Sequence, residues 1–173
     1  QTIQHSAVQI NLGAINRNCS VSRKHIGQQC QLCAVVKADG YGLGAVKVSS
    51  ELSKHADLLA VYSADEAGEL LVSGVGTPIL VFAPVHTFDR FHPIYRGLSQ
   101  GIVHLVVHDE NHMRALETIA SRYRITLNVQ VKIDTGLHRG GCVLADAKKL
   151  IDTIRSNHHF NLTGVLTHFI SAT

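Results

Sequence analysis

The segment AVVKADGYGLG, residues 34–44, sets Lys37 at the end of an apolar run and follows it with Gly40, Gly42 and Gly44, with Tyr41 among them. A lysine in that place is costly unless it is paired or used, because desolvation penalises the ammonium. The same desolvation favours the neutral amine, which is the nucleophile of Schiff-base chemistry. Glycines directly after it let backbone N–H groups approach an anion closely. The Tyr41 hydroxyl is suited to meeting a phosphate. Taken alone, these residues also allow a lysine held in a structural ion pair.

Two further segments carry reactive side chains. In VQVKIDTGLHRGG, residues 129–141, the two-residue period of a strand places Gln130, Lys132 and Asp134 on one face. That face would be the inside of a barrel, and a Lys132–Asp134 pairing filling the core is the plain reading. LTGVLTHFISAT, residues 162–173, brings His168 to another strand end, where a lone histidine is more often structural. His104 and His108 share a strand face, and His158 and His159 fall in a loop. None has a carboxylate or cysteine at metal-ligand spacing, so no metal centre is expected. Cys30 and Cys33 form a C-x-x-C that runs into a strand rather than opening a helix. Cys19 and Cys142 supply no second ligand pair for zinc, so Cys33 is read as a small core residue and the thiols as reduced.

These side chains need elements to position them. Apolar runs at 32–38, 58–63, 78–83, 102–108, 127–133 and 162–168 read as strands, and 45–54, 64–73, 87–98, 109–122 and 144–157 as helices. Ser63 with Glu66 three residues on is a capping-box pattern, and Gly74 with Pro78 marks a stop and restart. One helix between successive strands implies a parallel sheet, either open and doubly wound or closed into a barrel. The barrel is favoured because Lys37, Lys132 with Asp134, and His168 lie at C-terminal strand ends, and no strand-linked G-x-G-x-x-G opens an early helix. The expected fold class is therefore α/β, a (β/α)8 TIM-type barrel. It is incomplete: such a barrel takes about 250 residues, and about six β-α units are present. Residues 7–18 read as a strand leading into a helix that precedes the barrel.

Composition narrows the function classes. In 173 residues, 45% apolar and 17% charged content marks a globular protein, and a net charge of +3 without basic-aromatic runs gives no sign of a nucleic-acid partner. No apolar run of about 18 residues spans a membrane. There is no charged-then-apolar leader, although the chain starts at Gln1 without Met, consistent with removal of something upstream. A cytoplasmic setting is expected, or a periplasmic one for a broad-specificity enzyme whose leader has been removed.

AVVKADGYGLG resembles the pyridoxal-phosphate attachment motif of the alanine racemase family, usually close to V-V-K-A-N-A-Y-G-H-G, with Asp39, Gly40 and Leu43 as departures. VQVKIDTGLHRGG resembles its K-x-D-T-G-M-G-R-x-G, with His138 at a usual glycine. LTGVLTHFISAT resembles E-G-x-x-T-H-F-A-x-A-D, and residues 60–82 follow the family's strand, acidic helix and P-I-L strand. The resemblance implies that Lys37 carries pyridoxal 5'-phosphate covalently and that Tyr41 meets its phosphate. It implies a carbamylated Lys132 orienting Arg139, which contacts the cofactor's phenolic oxygen and the substrate carboxylate, and His168 against the pyridine ring. The implied reaction interconverts L- and D-alanine through a Cα carbanion, with Lys37 as the base on one face and a tyrosine from a later domain on the other. Such an enzyme supplies D-alanine for peptidoglycan and is a homodimer at full length. Residues 1–173 are then the N-terminal portion of the cofactor-binding barrel, inactive alone, with the remaining units and a C-terminal β domain outside it. A broad-specificity or serine racemase of the same family, and a non-catalytic pyridoxal-phosphate-binding protein, stay open as alternatives. Fold-related decarboxylases lack the K-A-x-x-Y-G spacing.

Overall fold

The computed structural model describes residues 8–171. Helix α1 (Leu12–Ile26) opens where the Asn11 side chain accepts the Ala14 N–H at 2.9 Å, and it stops at Gly27 with φ 77°. Strands and helices then alternate: β1 (Cys33–Val35), α2 (Lys37–Gly42), α3 (Ala45–Leu52), β2 (Leu58–Val61), α4 (Ala64–Val72) and β3 (Ile79–Val81). The chain continues through α5 (Ile94–Ser99), β4 (Val103–Val107), α6 (Glu110–Tyr123), β5 (Leu127–Asp134), β6 (Cys142–Val143), α7 (Leu144–Ser156) and β7 (Phe160–Leu166). The capping box at α4 forms as the sequence predicts, with both Ser63 and Glu66 engaged.

Among the described residues every strand pairing is parallel. The order runs β1-β2-β3-β4-β5, β7 lies along β5, and the two-residue β6 touches only the tip of β5 at Ile133 and Asp134. Leaving β6 aside, six strands form the sheet of a partial barrel, the fold class expected from the sequence. Alternation gives the sheet two apolar faces. Leu59, Val61, Ile79, Leu105 and Val129 pack outward against Leu70, Ile94, Leu98 and Leu116 of the helices. Ala60, Leu80 and Val106 face inward with Leu58, Phe82 and Leu166 around them. In β5 the buried Leu127, Val129 and Val131 point to the helices, so Asn128, Gln130 and Lys132 point in.

Several local expectations change. No strand is found over 8–11, and position 7 lies outside the described residues. Helix 87–98 shrinks to α5, because Asp89 accepts the Phe91 N–H at 2.7 Å and Tyr123 donates to the Phe88 carbonyl at 2.8 Å. Those side chains satisfy a loop's backbone, and Pro93 then starts the helix. The last strand begins at Phe160 and ends at Leu166, two residues before His168. Cys33 is exposed rather than in the core, and so is Cys30. Among the described residues β1 pairs with β2 alone, which leaves the other edge of the strand without a neighbour.

The core also holds a buried imidazole. His112 accepts the His108 N–H at Nδ1, and its Nε2 lies 3.2 Å from both the N–H and the carbonyl of Val85; acceptance at a ring nitrogen requires the neutral ring. Burial pushes its pKa from 6.5 down to about 4, with His108 and His86 adding to the effect and the Val85 hydrogen bond opposing it. The unfolded chain therefore takes up the proton first. Stability that is complete above pH 6.5 should fall as the pH drops toward 4, by about 3 kcal/mol in all. Urea unfolding across that window measures the loss. A His112 resonance titrating near its ordinary value in the folded chain would contradict the assignment.

Candidate active site

Strand β1 ends early because the chain turns left-handed. Ala38, Asp39, Gly40 and Tyr41 have φ of 53°, 53°, 62° and 59°. For L-residues that region costs roughly 1–2 kcal/mol each, so the surroundings must hold the turn. Gly40 donates to the Val36 carbonyl at 2.9 Å, and Gly44 donates to the Asp39 carbonyl at 2.9 Å. Ala45 donates to Asp39 Oδ1 at 2.7 Å, and Ala38 donates to Glu66 Oε1 at 2.6 Å. Gly40 is buried, and a Cβ there would sit 3.3 Å from the Ala45 backbone. Its N–H is thus committed to the turn rather than free for an anion, and glycine is required by packing. Asp39, one of the departures from the family motif, is a structural clamp.

The turn leaves Lys37 half-buried, two residues beyond the inward-facing Val35, and Tyr41 63% exposed. Among the described residues neither the Lys37 ε-amine nor the Tyr41 hydroxyl has a hydrogen-bond or ion-pair partner, so the structural ion pair that the sequence allowed is not made.

At the end of β5, Lys132 and Asp134 do not pair with each other. Lys132 Nζ donates to the Arg139 carbonyl at 2.7 Å. Burial lowers its pKa below the usual lysine range, Arg139 adds to that, and Asp134 opposes it. Asp134 Oδ1 accepts the Gly136 and His138 N–H groups at 3.0 Å each, and Oδ2 meets His138 Nδ1 at 3.0 Å. Those backbone bonds hold the Asp134 carboxyl below its usual range. His138, at a usual glycine, does take a left-handed φ of 54°, and the bonds to Asp134 hold it there. At Gly141, φ is 109° and a Cβ would lie 3.0 Å from the Lys132 carbonyl, so the loop folds tightly back onto β5. It leaves the Arg139 guanidinium exposed and without a partner among the described residues.

His168 follows β7, exposed; Thr167 before it donates to the Ile133 carbonyl at 2.8 Å and lies 2.7 Å from the Thr135 hydroxyl. Lys132 stands opposite Leu166 in the register, so Lys132 and His168 lie toward the same end of β5 and β7, with Arg139 in the loop that follows β5. Lys37 occupies the same, C-terminal end of the parallel sheet on β1. The sequence reading missed two residues here. His108 sits beneath the loop, Nε2 2.8 Å from the Phe82 carbonyl, where a Cβ on Gly140 would reach within 2.9 Å of Nδ1. Burial lowers its pKa. Its inward strand position was the available signal. Glu66 was legible only as a helix cap.

Parallel β-α units with Lys37, Lys132 and His168 at or just beyond C-terminal strand ends define a partial TIM-type barrel domain. Residues 10–173 match the family described as alanine racemase, N-terminal domain, and the chain belongs to that family. It is 33% identical over 167 residues to alanine racemase 2 of Oceanobacillus iheyensis, covering 95% of this chain and 41% of that one. The Cutibacterium acnes alanine racemase is 36% identical over 164 residues, again covering 41% of its length. The crystal structure of the E. faecalis alanine racemase superposes with a TM-score of 0.80 at 31% identity, over 94% of this chain and 43% of that one. The alanine racemase of Bacillus anthracis with bound L-Ala-P gives 0.73 at 26% identity. The chain thus spans less than half the length of these relatives. Among the described residues no helix is long and apolar enough to cross a membrane.

Proposed function

We propose that this chain is the N-terminal portion of the cofactor-binding barrel of a pyridoxal-phosphate-dependent alanine racemase. The remaining barrel units and a C-terminal β domain would come from the rest of a longer polypeptide that works as a cytoplasmic homodimer. The observation that carries the reading is Lys37, an unpaired, half-buried amine just beyond a strand end and directly before a strained turn. Strain of this kind persists where the surroundings over-determine it, and it concentrates at functional sites. The donor set fits the cofactor: an amine for an aldehyde, the Tyr41 phenol for a phosphate, and the Arg139 guanidinium for a phenolate oxygen and a carboxylate. His168 supplies an imidazole for the face of the ring. Membership of the family and the L-Ala-P held by the Bacillus anthracis enzyme support alanine as the substrate.

Bound pyridoxal phosphate supplies an electron sink that acidifies the Cα proton of an amino acid. Lys37 would hold the group and, released when the amine of the amino acid takes its place, would take or return that proton at Nζ on one face. Arg139 orients the substrate carboxylate with its planar fork. The lowered pKa of Lys132 favours the neutral amine that carbamylation requires. The added carboxylate would then give Arg139 an anionic neighbour. The base for the opposite face is a tyrosine from outside this chain. The longer protein incubated with L-alanine in deuterium oxide should form D-alanine carrying deuterium at Cα. Deuterium exchange without D-alanine would favour a one-base enzyme, and no exchange of any amino acid a non-catalytic binding protein.

A further inference from the structure

We infer that Glu66 is a positioning residue for Lys37, its carboxylate joining the ends of β1 and β2 and holding the left-handed turn that presents the lysine. The β1–β2 ladder makes its last backbone rung where the Val36 N–H meets the Ala60 carbonyl at 2.8 Å. A continuing strand would next place the Ala38 N–H on the Tyr62 carbonyl, but that carbonyl accepts from Ala83 at 2.7 Å. Glu66 takes over the missing rung. Oε1 accepts the Ala38 N–H at 2.6 Å, while Oε2 accepts those of Tyr62 at 2.7 Å and Ser63 at 3.0 Å. A capping box accounts for the Ser63 bond alone. The bonds to Ala38 and Tyr62 exceed it, and Ala38 is both the residue after Lys37 and the first left-handed one. Two carboxylate oxygens can accept from three amides, whereas glutamine has one acceptor oxygen.

The experiment compares E66Q with S63A in the longer protein that contains this chain. Ser63→Ala removes the other half of the box, the Glu66 N–H bond to Ser63 Oγ at 3.2 Å, and leaves Ala38 untouched. Amide hydrogen exchange should accelerate about tenfold or more at Ala38 in E66Q, the factor expected from losing a hydrogen bond to a charged group. It should stay unchanged there in S63A. Glu66→Asp, too short to reach both strand ends, serves the same purpose if E66Q does not fold. Unchanged Ala38 exchange in E66Q, or equal acceleration in S63A, overturns the inference. A second measurement rests on the proposed role of Lys37: the pyridoxal phosphate concentration that half-saturates borohydride labelling of Lys37 should rise in E66Q and not in S63A. Faster exchange with unchanged labelling would also overturn it. Absence of any Lys37 label in the unsubstituted longer protein would refute the cofactor assignment instead, and exchange would still decide what Glu66 holds.

Discussion

Replacing Lys37 by alanine should reduce borohydride-stable labelling by pyridoxal phosphate to background. The proposed attachment is one covalent bond to one amine, so no neighbouring group shares the loss. Lys132, the inward-facing lysine of β5, is tied to the Arg139 carbonyl at 2.7 Å and sits on a distant strand. Lys37 is half-buried and unpaired, so its removal breaks no ion pair and should change the thermal midpoint little. Peptide mapping after reduction, with visible absorption followed before and after, gives the readout. A label found on Lys132 in the parent chain would overturn the assignment of Lys37.

Arg139→Lys should lower kcat/KM of the longer protein by at least about tenfold, equivalent to about 1.4 kcal/mol of transition-state stabilisation. Lysine keeps the charge but loses the planar fork that serves a carboxylate and a phenolate oxygen together. Folding should be spared, because the guanidinium is exposed and the contact that closes the loop is made by the Arg139 backbone carbonyl. The backbone bonds of the loop to Asp134 survive the change as well. Steady-state kinetics in both directions, beside a melting curve, separate the two effects. Unchanged kcat/KM at unchanged stability would make Arg139 a bystander.

The candidate site was legible in the sequence as positions more than as contacts. Lys37, Lys132 and His168 were placed at strand ends, and the structure puts them at one end of one parallel sheet. The expected Lys132–Asp134 pairing failed because neighbours two apart on a strand face compete with the loop that follows. That loop offers the Arg139 carbonyl to one and the Gly136 and His138 amides to the other. Cys33 was placed inside because an apolar run implies burial, but burial depends on which strands flank it, and β1 has one neighbour here.

What the sequence by itself determined is whatever follows from short-range pattern. The alternation of strand and helix, the parallel sheet, the α4 cap at Ser63 and the inward face of β5 all come from periods of two and 3.6 and from neighbouring side chains. Only the tertiary structure decided the left-handed turn over Ala38–Tyr41, because three of its four residues are not glycine and their intrinsic preference opposes it. The bonds that hold the turn come from Asp39 across to Ala45 and from Glu66, 28 residues further on. The direction in which Lys37 is presented is therefore a property of how β1 and β2 are joined, since a long-range contact outweighs the local preference of the residues that carry it.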